Sequence, residues 1–120
     1  MAKTKNHILL CEDSRDTIDL LKLILEIEGY KVEASQNVCE GITKFEKNAP
    51  DLLITDLIIP GGNGREIINY IRQKLRLKKF PIIVLSAFAD DLKLDSKMFL
   101  ISKPIQIDLF VKTVKTILSK

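Results

Sequence analysis

The stretch DLLITDLIIPGGNG, Asp51 to Gly64, decides the fold. Leu52, Leu53, Ile54 and Thr55 form a short run without polar alternation, the mark of a strand buried on both faces as parallel sheets require. The run ends on Asp56. Gly61, Gly62, Asn63 and Gly64 follow without the lysine of a phosphate-binding P-loop, so they read as a turn that opens a helix. Buried strand, acidic end and turn into a helix make one unit of a repeating pattern.

Working outward, the pattern recurs. Apolar runs at 8–11, 82–85 and 99–101, with a weaker one at 31–34, predict four more strands. Helical spacings fall between them. Leu20, Leu21, Ile24, Leu25 and Ile27 predict a helix over about 14–28, stopped by Gly29. Val38, Ile42 and Phe45 predict a second, ending before Pro50. Ile67, Ile68, Ile71 and Leu75 mark a third, and Phe110, Val114, Ile117 and Leu118 a last one after Pro104. Residues 89–97 read as a short helix or as a loop. The order is that of an α/β fold: a doubly wound, five-stranded parallel sheet with helices on both faces, in one domain over residues 1–120. Ligands of such sheets bind outside the carboxyl ends of the strands.

Composition narrows the function classes. With 120 residues, 46% of them hydrophobic and 29% charged, the chain can bury a core and keep a polar surface. No apolar run approaches the roughly 20 residues that span a bilayer, and the polar start is no secretory leader, so no membrane partner is expected. Cys11 and Cys39 have neither metal-site spacing nor the numbers of a disulfide scaffold, which points to a reducing cytoplasm. The net charge of +3 is mild, and leucines interrupt the basic cluster at 74–79. No nucleic-acid contact is expected of it.

The chemistry collects at the strand ends. The first strand delivers Glu12 and Asp13, the third Asp56, the fourth Ser86 and the fifth Lys103. In the common order 2-1-3-4-5 the first and third strands are neighbours, so three carboxylates crowd together. Either one pKa rises or a cation enters. Mg²⁺ suits such oxygen ligands. With Lys103 and the Ser86 hydroxyl it would neutralise a phosphoryl group in transfer, and Asp56 would be the nucleophile. Taken singly, each residue has an ordinary explanation, such as a helix cap at Asp13 and Ser14. Their joint placement does not.

The segments ILLCEDS from Ile8, DLLITDLIIPGGNG from Asp51, LSA from Leu85 and SKP from Ser102 together resemble the response-regulator receiver domain of two-component signalling. The resemblance covers essentially the whole chain. It implies a flavodoxin-like fold and a signalling domain, one that promotes only its own phosphorylation and dephosphorylation. Asp56 would be phosphorylated by a histidine kinase or a histidine phosphotransfer protein. Asp13, Asp56 and the Ile58 carbonyl would hold Mg²⁺, with Glu12 acting through a metal-bound water. Ser86 becomes the switch hydroxyl, Ala87 the small residue after it, and Lys103–Pro104 the lysine-proline pair, often a cis peptide.

Three departures from the family pattern stand out. Leu100 occupies the switch position where a Tyr or Phe is usual, and strand alternation sends neighbouring Phe99 to the other face. Seventeen positions separate Ser86 from Lys103, about one helical turn fewer than the family pattern, so the fourth helix should be shortened or missing and the output surface unusual. The positions flanking the phosphate, Ile58 and Phe88, are apolar, and neither can orient an attacking water. Two other classes compete. A phosphatase-like enzyme with an aspartyl-phosphate intermediate wants a general acid where Ile58 stands. A receiver-like binding module acting without phosphorylation fits the missing aromatic but not the complete set of site residues.

Overall fold

The computed structural model describes residues 6–59, 62–87 and 93–119. Five strands make one parallel sheet: β1 (His7–Cys11), β2 (Lys31–Ser35), β3 (Leu52–Asp56), β4 (Ile82–Ser86) and β5 (Met98–Ser102). Their order is β2-β1-β3-β4-β5, the doubly wound order 2-1-3-4-5. The three central strands are buried at every position, which is why their sequences carry no polar alternation.

Among the described residues four helices cover the sheet: α1 (Arg15–Ile27), α2 (Val38–Lys47), α3 (Gly64–Asn69) and α4 (Ile107–Leu118). Ser14 caps α1 by accepting from the Thr17 amide, and Gly29 leaves it at φ 97°, which a side chain would resist. Helices α1 and α4 bury Leu21, Leu25, Phe110 and Val114 on one face of the sheet, against Ile8, Leu10 and Ile54. On the other face α2 and α3 bury Phe45 and Ile67 against Leu9, Leu53 and Val84. A fully buried side chain of this size contributes roughly 1.5–3 kcal/mol.

Helical spacing in the third segment continues through Leu75, but the helix changes type on the way. After Asn69 it widens into a π turn over Tyr70–Lys74. A shifted hydrogen-bond register leaves the apolar pattern intact, so the spacing could not report it. The connection from β4 to β5 is short. Of its residues, 93–97 form no helix, while 88–92 lie outside the described residues. A shortened fourth helix accords with this connection, and Leu100 on β5 is 45% exposed.

Arg72 holds this connection in place. Its guanidinium forks onto Asp95, donating at 2.7 and 3.3 Å, and also donates to the carbonyls of Leu77 and Lys97. Asp95 in turn accepts from the Lys97 amide, just before β5 begins. The hydrogen bond from Arg72 holds the Asp95 carboxyl below its ordinary value of 3.8, with partial burial working the other way. The stability it contributes is therefore full above 3.8 and lost as pH falls through the lower folded-state value. Asp95 is 45% exposed on its side chain, so screening keeps Asp95→Asn to less than about 1 kcal/mol. Arg72→Met should cost more, about 1–2 kcal/mol, because it also strips two backbone carbonyls of a charged donor. Urea unfolding at neutral pH measures both, and the gap between Asp95→Asn and the parent should narrow from pH 3.8 downward and close below the lower folded-state value. A gap that persists in acid would mean the clamp acts through packing.

Candidate functional site

Each predicted strand-end residue sits where backbone pairing puts it. The Glu12 amide donates to Ser35 O at 3.0 Å, extending the β1–β2 ladder by one residue, and the side chain is only 1% exposed. Asp13 is next and exposed. Asp56 closes β3 at 8% exposure, and its carbonyl accepts from the Thr55 hydroxyl. Ser86 ends β4 one residue past the pairing of Asp56 with Leu85, and is 5% exposed. The Lys103 amide donates to Ser86 O at 2.8 Å, so the β4–β5 ladder runs on into Lys103. The bond from Lys103 to Pro104 is cis.

These ladders deliver one ammonium into the carboxylates. Lys103 Nζ lies 2.5 Å from Asp56 Oδ2 and 3.2 Å from Glu12 Oε1. The other oxygen of Glu12 accepts from the Ser14 amide at 3.0 Å. Burial pushes the Glu12 carboxyl above the usual glutamate range, and the charge of Asp56 adds to this. The Ser14 amide and Lys103 oppose it. For Lys103, burial works against the charge. The hydrogen bond to Asp56 and the charges of Glu12 and Asp56 outweigh burial, so the lysine titrates above its ordinary value. Both remedies expected of crowded carboxylates are thus present: one raised pKa, and a cation supplied by the chain itself.

Glu12, Asp13 and Asp56 offer carboxylate oxygens that all lie within 4.8 Å of one another. An all-oxygen, strongly anionic donor set at that spacing fits a small hard divalent cation with its waters. Ile58 follows two residues after Asp56 and pairs with Asn63 in a two-residue antiparallel bridge. Ala87 is exposed at the bend after β4, and Phe88 lies outside the described residues. Phe99 packs partly buried against the α1–α4 core, whereas Leu100 does not. His7 is remote from the cluster: it begins β1, donates its amide to Asp51 and places Nε2 2.9 Å from Glu33. Cys11 is fully buried, and burial pushes its thiol up to about 12, which leaves it unreactive.

One positioning residue escaped the sequence reading of chemical groups. Gly64 donates its amide to Leu57 O at 2.7 Å, and its α-carbon lies so close to the Asp56 backbone that an added Cβ would overlap the Asp56 carbonyl oxygen. The glycine run was legible as a turn. Its closest approach to the acidic strand end was not, because that contact depends on how α3 leaves the sheet.

The sequence profile of the response regulator receiver domain matches residues 8–115. The polar-differentiation response regulator DivK of Brucella anthropi is 27% identical over 118 residues, covering 92% of this chain and 94% of that protein. The signal receiver domain of a signal transduction histidine kinase from Syntrophus aciditrophicus superposes with a TM-score of 0.85 at 29% identity, covering 95% of this chain and 90% of that one. The chemotaxis response regulator CheY4 of Vibrio cholerae superposes equally well, at 0.85 and 24% identity over 96% and 100% of the two chains, a likeness of fold.

Gly64→Ala should destabilise the protein by about 1–3 kcal/mol, the usual range for an over-packed contact that backbone must absorb. Denaturant unfolding measures it. A loss under half a kilocalorie would show that α3 can retreat from Asp56 without penalty.

Proposed function

The chain belongs to the response regulator receiver domain family, and we propose on that basis that it accepts a phosphoryl group on Asp56 and signals through altered protein contacts. The donor is a histidine kinase or a histidine phosphotransfer protein of a two-component or phosphorelay pathway. The observation that carries this reading is Lys103 reaching Asp56 and Glu12 together from a third strand end.

Transfer needs little covalent help from the protein. An Asp56 carboxylate oxygen forms a bond to phosphorus as the phosphorus–nitrogen bond to the donor imidazole breaks, and the electron pair leaves with that nitrogen. Asp56 is held for this by the end of β3 and by Gly64 behind it. Lys103, charged throughout the neutral range, passes its hydrogen bond from the carboxylate to a phosphoryl oxygen, and the Ser86 hydroxyl donates to another. Asp13, Asp56 and the Ile58 carbonyl would hold Mg²⁺, with Glu12 reaching it through a water. When bound, the ion supplies positive charge to the phosphoryl oxygens. A phosphodonor also needs a surface to rest on. Leu20, Leu23 and Ile27 form an exposed apolar stripe on α1. Leu20 and Leu21 share a cavity with Lys103 and Pro104, which supports docking of a donor beside the site.

The alternative, a receiver-like module that binds its partner without phosphorylation, draws on Leu100. At the usual aromatic switch position stands an aliphatic side chain, 45% exposed. Intact mass separates the two readings. Incubation with acetyl phosphate or phosphoramidate and Mg²⁺ should add one phosphoryl group to the parent and none to Asp56→Asn. No gain, together with no response to beryllofluoride, leaves the phosphorylation-independent module.

The phosphoryl group, once formed, should be long-lived. Neither Ile58 nor Phe88 carries a polar atom that could orient an attacking water. The phosphorylated fraction should persist for minutes or longer after the small-molecule donor is removed. Loss within seconds would mean another group positions the water.

A further inference from the structure

The run KLRLKK, residues 74–79, lies where the π turn ends and the chain reverses toward β4. Lys74, Arg76, Lys78 and Lys79 alternate in part with Leu75 and Leu77, and no carboxylate occurs in the sequence between Glu66 and Asp90. All six residues are exposed, Leu75 at 37% and Leu77 at 39%. The nearby acids are engaged elsewhere. Glu46 accepts from the Tyr70 hydroxyl, Asp51 from the His7 amide and Asp95 from Arg72. Among the described residues none of the four cations makes an ion pair.

The loop is held in one shape from within. Arg72 donates to Leu77 O at 2.7 Å, while the Leu77 amide reaches back to Ile71 O and the Leu75 amide to Tyr70 O. Lys74 Nζ rides 5.6 Å above the Tyr70 ring. Arg76 sits at φ 58°, a left-handed conformation uncommon for a long side chain and of the kind retained where the surrounding structure imposes it. Leu75 and Leu77 meet Phe45, Ala49 and Tyr70 around a shallow cavity of about 490 Å³, which Glu46, held by the Tyr70 hydroxyl, also lines.

Unpaired cations and bare leucines on one pre-shaped turn match a surface that is anionic outside and apolar beneath. We infer that loop 74–79 docks on an anionic phospholipid bilayer, its four cations meeting headgroup phosphates and Leu75 and Leu77 entering the acyl boundary. Each Lys or Arg near such a surface is worth roughly fivefold in partitioning. Three of the four cations are lysines, point charges suited to a plane of headgroups rather than to forked recognition of one carboxylate or base. A nucleic acid would leave both leucines in contact with a charged backbone. An acidic helix would need a groove several turns long, and the surface beside the loop is a shallow cavity of about 490 Å³. The loop leads into the amino end of β4, so a docked molecule turns the Asp56 edge away from the bilayer. No spanning segment is required, and no helix among the described residues is long and apolar enough to be one.

Cosedimentation of the full chain with phosphatidylcholine vesicles containing one-third phosphatidylglycerol, at about 0.1 M salt, tests this. Binding should be strong to these vesicles and absent from pure phosphatidylcholine. The pair Lys78→Gln and Lys79→Gln should weaken it about thirtyfold, and the pair Leu75→Ser and Leu77→Ser several-fold, with the residual binding more sensitive to salt. Both variants should keep the parent's circular dichroism and urea midpoint, which certifies their fold independently of phosphorylation. No binding to the anionic vesicles overturns the inference, as does binding indifferent to the lysine pair. Binding that ignores the leucine pair and is matched by duplex DNA or a polyglutamate chain overturns it too, by showing a general polyanion site.

Discussion

A carboxylate buried at the end of a sheet is expensive to ionise, and two facing each other more so. The protein meets this by threading one ammonium between Glu12 and Asp56, from a strand that neither acid belongs to. Lys103 is 26% exposed on its side chain, so removing it costs less than the roughly 3–5 kcal/mol of a fully buried pair, but it leaves Glu12 charged and alone. The sheet order and the lengths of β1, β3 and β5 converge on that contact. In the proposed phosphotransfer, a divalent cation and a phosphoryl group would add charges of both signs to a place already arranged to balance them, and the chemistry would extend what holds the site together.

Much of this was legible in the residues. The central strands β1, β3 and β4 are buried at all positions, and their unbroken apolar runs gave them away. Edge strand β2, whose first residue Lys31 is exposed and whose middle is half-buried, gave a weak signal for the same physical reason. The strand-end residues of the candidate site were legible because strand ends are fixed by where apolar runs stop. Glu12, Asp56, Ser86 and Lys103 could be read off as a set before any geometry existed.

What the residues concealed was contact across distance in the chain. Nothing in the sequence singled out Arg72, yet its side chain is 11% exposed and organises the passage into β5. Gly64 looked like part of a turn, yet its missing Cβ is what lets α3 press against Asp56. The widening of α3 into a π turn left no trace in the apolar spacing, since Ile67, Ile68 and Ile71 face the core in either helix type. Propensity and periodicity report a residue's own element, and these three features belong to pairs of elements.

The long reach of Lys103 has a consequence for how the molecule is made. Its contact with Glu12 closes over 91 positions of sequence and that with Asp56 over 47. During synthesis the strands β1, β2 and β3 and two helices are available well before β5 leaves the ribosome, and they can assemble as a partial sheet. That nascent sheet carries its acidic residues without their internal counter-ion. Its carboxyl edge is an open anionic end until β5, the last strand, arrives. Completion of the chain is therefore also the moment of charge closure, and the half-built molecule is the one most in need of borrowed cations.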